Sequence, residues 1–433
     1  MSQTTEKTIV ALDLGGMEIR AVAAQKVDDR LNILGMECVH TDGIKKGEYV
    51  NTTSVGFAVK EALIKLRNRC HLTDEPLSIF TAVGSAGMKI RSCEMSARRD
   101  ISSKDSVNAD ILNDMETECR TKFTKRYECY QIICLIPERY EIDDEAVSNP
   151  IGRKGSRISA QYRAFYGLAE LYERAKGCID RTGEALEMIT AKMEATAAAL
   201  LTEEDKQAGC CIIDLGCDTT SVGIYYDNML QFYRIIPYGG SMITSDMLAF
   251  LKQVIMMEDA DMLTAERFKR KLGNAYMADV KPDKVRLKQD NGEHVFALNE
   301  VAEVVESRQR EIIRLAIKGA AEHLKHAENG IVLTGGGSKL TGIEKCVADI
   351  TGLEVVRGSH EAWIGSVQPD CMQIIQPEYS QVVGILTMAA EYWERNSLKE
   401  PKQPTIGGRL SRVFRKFVDG TQQTMIDWFD NEG

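Results

Sequence analysis

The chain has 433 residues, 44% of them hydrophobic, which is enough material for the cores of two to four domains or subdomains. Its formal net charge of −10 at pH 7 argues against nucleic acid as a partner of the whole chain, because such binding needs excess positive charge. The sequence contains no apolar run long enough for a transmembrane helix, and its short polar start does not resemble a secretory signal.

The first predicted element is a β-hairpin from Ile9 to Ala24, with Asp13-Leu14-Gly15-Gly16-Met17 at its turn. Glycine and aspartate in a turn leave backbone N–H groups that can face an anion. The strands continue at Ile33 to Thr41. A helix is then predicted from Asn51 to Leu66 and a short strand from Leu77 to Val83.

Residues 85 to 165 differ in character and predict a compact α+β unit. An amphipathic helix is expected from Ser106 to Tyr127, and a strand from Tyr130 to Ile136 that Pro137 stops. A further strand is expected from Arg157 to Tyr166. Because this unit precedes a second hairpin much like the first, it is predicted to be an insertion.

A helix from Leu168 to Arg181 and a strand followed by an Ala-rich helix, Glu187 to Leu200, lead to the second hairpin at Ile212 to Tyr226. Its turn reads Asp214-Leu215-Gly216-Cys217-Asp218-Thr219-Thr220. Asp13-Leu14-Gly15 and Asp214-Leu215-Gly216 match, each after an apolar run. Two such copies predict two related half-molecules whose hairpins clamp the phosphates of a nucleotide between them.

The turn Tyr238-Gly239-Gly240-Ser241 opens a predicted helix from Ile243 to Val254. Glycine before a helix can form an anion cradle, although a plain helix start is the commoner meaning. A charged helix, Ala260 to Leu272, and two polar strands within Lys281 to Leu298 follow. A long helix from Asn299 to Glu328 is predicted next, with Asn299 as its N-cap.

The strand Gly330 to Leu333 leads into Thr334-Gly335-Gly336-Gly337-Ser338, where a ligand can approach the backbone closely. A strand at Leu353 to Val356 and a last core helix from Pro377 to Trp393 complete the predicted body. His323 and His326 share a predicted helix, but no cluster of Cys or carboxylates completes a metal site with them.

Cysteine usage favours a cytoplasmic protein. The sequence has 12 cysteines and no Cys-x-x-Cys pair, and Cys210 and Cys211 lie inside an apolar run. This pattern is typical of reduced, mostly buried thiols rather than of a disulfide scaffold.

The C-terminal segment predicts a flexible linker, residues 396 to 408, and then a basic amphipathic helix. This pattern indicates an interfacial membrane anchor, and the alternative is a helix that docks on the protein itself or on a partner. A second apolar patch, Met425 to Phe429, has acidic neighbours. The residues predicted to bind membrane are Leu410, Arg412, Val413, Phe414, Arg415, Lys416, Phe417 and Val418.

The two hairpins, the glycine run at Thr334 to Ser338 and their order resemble the actin-like ATPase superfamily. Further segments resemble the FtsA family of bacterial division proteins across nearly the whole chain. These segments are Leu201 to Lys206, Ile235 to Tyr238, Ile243 to Asp246, the end of the insertion at Pro137 to Arg157, Ile331 to Gly337, and Pro377 to Gly384.

The resemblance implies an α/β, actin-like (ribonuclease H-like) two-domain fold with an FtsA-type α+β inserted subdomain. The implied boundaries are 1–84 for the first actin-like domain, 85–165 for the inserted subdomain, 166–205 for the remainder of the first domain, 206–240 for the second domain's phosphate hairpin, 241–330 for its outer subdomain, 331–395 for its adenosine motif and last helix, 396–408 for a linker, and 409–433 for a membrane-targeting tail.

It also implies a protein that binds ATP, with Mg²⁺, between its domains and self-associates into protofilaments. It would bind the C-terminal tail of FtsZ, hold the FtsZ ring to an anionic membrane surface on the cytoplasmic face at the division site, and meet other division proteins. Residues implied to bind the nucleotide are Asp13, Gly15, Gly16, Met17, Asp214, Gly216, Cys217, Thr219, Thr220, Gly239, Gly240, Arg308, Gly335, Gly336, Gly337 and Ser338.

Two other hypotheses stay open at this point. One is a PilM-like actin-fold platform of a pilus or secretion system, a family without this linker and terminal amphipathic helix. The other is a phosphotransferase or chaperone of the superfamily, but no added substrate domain is visible.

Several residues depart from the FtsA pattern. Gly16 and Glu18 stand where the first hairpin has Thr and Lys, and Cys217 and Asp218 replace two glycines of the second. Lys192 stands near the position where the superfamily has an acid or amide that positions the attacking water. These changes predict that nucleotide binding persists while hydrolysis is slow or absent, since the lost groups supply positioning and charge stabilisation. Mg²⁺ is expected near Asp13 and Asp214, through water.

Overall fold

The structure is a computed structural model that describes residues 8–73, 76–84, 89–102, 106–289 and 292–397. The predicted membrane-binding residues, 410 to 418, and all of the predicted linker beyond Ser397 therefore lie outside the described residues. None of the described helices combines the length and the apolar character that crossing a membrane would require.

The described strands are, in chain order, β1 (Ile9–Leu14), β2 (Glu18–Val27), β3 (Arg30–His40), β4 (Ile44–Lys45), β5 (Glu48–Tyr49), β6 (Ser78–Val83), β7 (Arg91–Asp100), β8 (Tyr130–Ile142), β9 (Glu145–Val147), β10 (Arg157–Leu168), β11 (Ala185–Ala191), β12 (Cys210–Leu215), β13 (Thr220–Tyr226), β14 (Met229–Ile236), β15 (Lys284–Gln289), β16 (Gly292–Ala297), β17 (Ile331–Thr334), β18 (Val355–Arg357) and β19 (Ile364–Val367).

The described α-helices are α1 (Thr52–Arg69), α2 (Ala109–Arg126), α3 (Ala169–Asp180), α4 (Lys192–Leu200), α5 (Glu203–Ala208), α6 (Gly240–Gln253), α7 (Met262–Leu272), α8 (Leu298–Ala316), α9 (Ala321–Leu324), α10 (Ile343–Thr351) and α11 (Ser380–Ser397). Short 3-10 helices occupy Met277–Asp279, Gly336–Lys339, Glu361–Trp363, Pro369–Ile375 and Pro377–Tyr379.

Two core sheets confirm the predicted duplication. The first has the strand order β11-β6-β1-β2-β3-β19 and the second β14-β13-β12-β17-β18. In each sheet, three consecutive strands pair antiparallel, and the Asp-x-Gly turn joins the first strand to the second. A later strand pairs in parallel with the other side of the first strand: β6 with β1, and β17 with β12. The apolar residues before each aspartate are buried, because these strands lie at the centre of their sheets.

The last part of the chain returns to the first sheet. Strand β19 lies in the range predicted for the second domain, yet it pairs in parallel with β3 of the first sheet. Helix α11 packs on α4, and its residue Gly384 meets the carbonyl of Ala195. The first half of the fold is therefore completed only by β19 and α11, which lie near the end of the described chain.

A separate sheet with the order β7-β10-β8-β9 forms the predicted insertion, and α2 packs on it. The prediction that Pro137 stops the strand is wrong, since β8 runs through it to Ile142. Pro137 lies opposite Tyr162 at a register shift, and β9 pairs with β8 only from Tyr140 onward. Proline is tolerated at a bulge or beside an unpaired strand edge, because the missing N–H costs no regular ladder hydrogen bond there.

The long helix predicted from Asn299 to Glu328 is broken. Helix α8 ends at Ala316, and Gly319 has a φ of 84°, which a continuous right-handed helix does not admit. The N-cap prediction is also wrong, since the helix starts one residue before Asn299. The amide of Ala297 donates to Glu300 Oε2 at 2.9 Å, so a side chain inside the first turn caps the helix.

Candidate functional site

A cavity of about 950 Å³ opens between the two core sheets. Its volume lies in the range typical of small-molecule sites. The lining joins the turns of both hairpins, the start of α6 and the glycine run after β17. The residues predicted to bind nucleotide that line it are Asp13, Gly15, Gly16, Met17, Asp214, Gly216, Cys217, Thr219, Thr220, Gly239, Gly240, Gly335, Gly336 and Gly337.

Two predicted residues do not line the cavity. Ser338 is buried, and its hydroxyl donates to the Gly335 carbonyl at 2.8 Å, so it holds the glycine turn from beneath. Arg308 on α8 pairs instead with Asp246 and Glu311. Two other residues of α8, Gln309 and Ile312, line the cavity, and the sequence did not single them out as site residues.

The two hairpin turns face each other, as predicted. Each is closed by the same bond, from Gly15 N to Glu18 O at 3.1 Å and from Gly216 N to Thr219 O at 3.0 Å. Between the turns, the Cys217 and Met17 sulfur atoms lie 4.0 Å apart. A phosphate held here would therefore meet both halves of the molecule at once.

Asp218 brings negative charge to this contact. Its carboxylate accepts a hydrogen bond from the backbone N–H of Lys46 at 3.3 Å, and it packs beside Gly16 of the first turn. The departure of Asp218 from the family pattern therefore places a carboxylate beside the opposite turn, where it would lie near a bound phosphate.

The start of α6 supports the second hairpin instead of offering free donors. Gly240 N donates to Gly216 O at 3.0 Å, and Ser241 N donates to Cys217 O at 2.8 Å. These contacts match the plain helix start that the sequence left as an alternative. Within the described residues, the amides of Gly16 and Asp218 donate no backbone hydrogen bond, so each turn has a donor that can face an anion.

The Asp13 carboxylate is enclosed by donors from three parts of the chain. Its Oδ2 accepts from Arg20 Nη1 at 3.0 Å and its Oδ1 from Gln381 Nε2 at 2.7 Å. Lys192 Nζ lies 3.7 Å from the same Oδ1 and donates to the Leu14 carbonyl at 3.0 Å. The sequence pattern drew attention to Lys192, but no local signal indicated Gln381, which comes from α11.

Asp214 occupies the matching place on the second hairpin and is only partly exposed. Burial raises the pKa of its carboxyl to about 6, and the nearby Lys192 ammonium opposes that shift. Gly335 packs against it with a φ of 78°, and a Cβ at Gly335 would lie 2.3 Å from Asp214 Oδ1. Only glycine fits the turn that brings the third loop to this aspartate.

Glu194, the acid two residues after Lys192, points away from the cavity. It accepts a hydrogen bond from the Tyr225 hydroxyl at 3.1 Å, and this bond joins α4 to the second sheet. Burial raises the pKa of Glu194 from about 4.5 to about 7. Lys192 instead presents its ammonium to the cleft, so the described α4 places no carboxylate among the lining residues.

The raised pKa of Glu194 predicts a pH-dependent stability. Between about pH 4.5 and pH 7 the folded chain keeps a proton that the unfolded chain releases, so the free energy of unfolding falls as pH rises. Glu194→Gln keeps a partner for Tyr225 and removes the titration. From pH 5 to pH 8 the variant should gain about 2 kcal/mol relative to wild type, measured by urea unfolding. Glu204→Gln, on an exposed part of α5, controls for net charge, and equal pH profiles for wild type and Glu194→Gln would contradict the prediction.

Solved structures with this fold include actin-like proteins. A chain of the PilM–PilN type IV pilus biogenesis complex is similar with a TM-score of 0.57 and 16% identity, covering 91% of this chain and 99% of that one. MreB5 of Spiroplasma citri, solved with bound ADP, is similar with a TM-score of 0.54 and 14% identity, over 91% of this chain and 99% of that one. At these identities the likeness shows the fold alone.

Comparison of the sequence with known proteins finds bacterial cell division proteins. The family model described as Cell division protein FtsA matches residues 211–384. The Cell division protein FtsA of Neisseria meningitidis is 26% identical over 95% of this chain and 98% of its own, and that of Escherichia coli K12 is 26% identical over 95% and 97%. Duplicated sheets around a cleft with paired hairpins define an actin-like fold. Among proteins of known role, the chain is similar over nearly its whole length to the FtsA cell division proteins.

Proposed function

We propose that this chain is an ATP-binding division protein that polymerises and tethers the FtsZ ring to the cytoplasmic membrane, with slow or absent ATP hydrolysis. The observation that carries the proposal is the pair of facing hairpin turns over a cavity of about 950 Å³ in a chain similar to the FtsA cell division proteins. The facing turns suit a ligand with several phosphates, since open amides lie on both sides.

The nucleotide would lie with its phosphates between the turns at Gly15 and Gly216 and its adenosine towards Gly335. MreB5 of Spiroplasma citri, which shares the fold, was solved with ADP, and this supports a nucleotide in the same cleft. The proposal keeps the predicted site residues, except that Ser338 and Arg308 would support the cleft without lining it.

Slow hydrolysis follows from the residues around the phosphates. Lys192 occupies the start of α4, and a protonated amine cannot accept a proton from an attacking water. Glu194 is turned towards Tyr225, and Asp218 adds negative charge beside the phosphate position. A cleft of this kind is better suited to bind a nucleotide that controls assembly than to hydrolyse it.

Tethering would use two surfaces. The subdomain from 241 to 330 would bind the FtsZ C-terminal tail, and the segment from 409 to 433 would bind anionic lipid through its basic amphipathic pattern. Both roles are implied by the family resemblance and would place the chain at the division site. The likeness to the PilM–PilN complex concerns the fold and does not favour the pilus alternative.

A reconstitution tests the tether in one assay. FtsZ should sediment with anionic vesicles only when the full chain is present, because the chain would bind lipid and FtsZ at different surfaces. A chain that ends at Gly408 should leave both proteins in the supernatant, since the basic helix supplies the lipid affinity.

The control is FtsZ that lacks its C-terminal tail, which should stay in solution while the full chain still sediments. Sedimentation of the shortened chain would contradict the anchor. Sedimentation of the full chain while intact FtsZ stays in the supernatant would contradict the FtsZ role and would favour the platform alternative.

A further inference from the structure

We propose that Lys192 is a built-in counter-cation that takes the place of Mg²⁺ in this cleft, so that ATP binds without a divalent ion. The inference rests on the proposed ATP binding. It concerns which positive charge balances the negative charges of the two hairpin aspartates and of the phosphates. In a cleft that binds Mg²⁺, the metal ion supplies that positive charge.

The hairpin aspartates do not fit the predicted metal site. Mg²⁺ is usually held by one or two carboxylates, several waters and the phosphates, and this requires carboxylate oxygens that face the ion. Both oxygens of Asp13 already accept hydrogen bonds, one from Arg20 and one from Gln381. An Mg²⁺ held beside Asp13 through water would have to share the carboxylate oxygens with these donors, which leaves fewer lone pairs for the waters of the ion.

The positive charge of Lys192 also disfavours a metal ion at this place. Its ammonium lies 3.7 Å from Asp13 Oδ1, where an ion carried by that oxygen would meet a positive charge at close range. It also opposes the raised pKa of Asp214, so its charge acts on the aspartates of both hairpins. One lysine therefore acts on both of the carboxylates beside which the metal was expected.

The position of the ammonium is well defined. The side chain of Lys192 is 20% exposed, and its aliphatic stem packs against Gly84. An ammonium has three N–H donors. One N–H donates to the Leu14 carbonyl, and a second can point towards Asp13 Oδ1. The third is then left to donate to a phosphate oxygen. Such a fixed cation can stabilise a phosphate with little loss of side-chain freedom.

Other lysines of the cleft wall are already neutralised by their own partners. Lys269 lies 2.6 Å from Glu266 and also donates to the Gly240 carbonyl. Lys339 lies 2.7 Å from Glu378. Lys192 differs because its carboxylate partner belongs to a phosphate-binding turn, so its charge is directed at the place where phosphate would sit.

The test compares ATP binding with and without a divalent ion. The rise in melting temperature of the full chain is titrated with ATP, once in EDTA and once in excess Mg²⁺, and converted to an apparent Kd. Wild type should give values within about threefold of each other. Lys192→Gln should bind about tenfold more weakly in EDTA, because a charge-assisted bond to phosphate is lost, and Mg²⁺ should restore part of that loss.

Lys206→Gln is the matched control, since Lys206 has 21% side-chain exposure and an ion pair with Glu203 but lies outside the cleft lining. Wild-type binding only in Mg²⁺ would overturn the inference and leave the proposed ATP binding intact. No melting shift in either buffer would instead overturn the ATP binding itself. The two wild-type titrations decide both questions even if Lys192→Gln fails to fold, and unchanged binding by a folded Lys192→Gln would also overturn the inference.

Discussion

Replacing Gly384 by alanine is expected to destabilise the chain by about 3 kcal/mol, at the upper end of the usual cost of overpacking. Gly384 lies in α11 where that helix crosses α4. A Cβ there would lie 1.6 Å from the carbonyl oxygen of Ala195 and 2.5 Å from its carbon. Because the obstacle is backbone, the two helices must move apart, and no change of side-chain rotamer relieves the overlap.

Gly177→Ala is the matched control for this substitution. Gly177 lies in α3, and a Cβ added there meets no atom within 4 Å. Alanine should therefore stabilise the chain by about 0.5–1 kcal/mol, since glycine loses more conformational freedom in a helix. Urea unfolding of both variants measures the difference, and two effects of the same sign would contradict the packing of α11 on α4.

Gly384→Ala should also disturb the cleft. Gln381 lies nearly one turn before Gly384 on α11 and donates to Asp13. Moving α11 away from α4 would lengthen that bond and disturb the first hairpin. Gly384→Ala is therefore expected to weaken the proposed ATP binding, whereas Gly177→Ala should leave it unchanged, and the melting shift with ATP measures both.

Replacing Arg20 by methionine is expected to cost about 3 kcal/mol of stability, because it leaves the Asp13 charge without its nearest cation. The side chain of Asp13 is 6% exposed, and its Oδ2 depends on Arg20 Nη1 at 3.0 Å. Lys192 is farther away and Gln381 is uncharged, so neither replaces the guanidinium. Arg20 also lies over the Tyr379 ring at 5.1 Å, a contact that a methionine side chain keeps in part.

A double mutant separates charge from packing. Asp13→Asn combined with Arg20→Met removes the carboxylate that the single variant leaves unpaired, so it should be more stable than Arg20→Met alone. Arg286→Met is the surface control, with 73% side-chain exposure and a 3.7 Å ion pair, and should change the unfolding free energy by less than about 0.5 kcal/mol. A double variant less stable than Arg20→Met would show that Asp13 is not stabilised mainly by Arg20.

Most of the elements were predictable because their signals are local. Asp-x-Gly between two apolar runs is sufficient to predict a strand, a turn and a strand, and both hairpins have it at Asp13 and Asp214. Asn51 at the start of α1 accepts a hydrogen bond from Ser54 N at 3.0 Å, as an N-cap does. In these cases the residues that make the contact are neighbours in the sequence.

The errors arose where distant residues decide the local structure. Pro137 stays inside β8 because the partner strand β10 has a register shift opposite it, and this is a property of the pair. The residues of strand β7 are mostly polar or charged and gave little strand signal, and the strand forms by pairing with β10 over ten residue pairs. Hydrophobic patterns describe burial, whereas strand edges and bulges depend on what lies beside them.

The sequence by itself determined the two repeated turns, the glycine loop after β17 and the identity of the charged residues near them. Tertiary structure alone decided which of those charges neutralise one another. Lys192 and Gln381 reach Asp13 across sequence separations that no local pattern spans, because α4 and α11 pack together behind the first hairpin. A carboxylate in a cleft acts through the partners within a few ångströms of it, and only the packed chain brings those partners together.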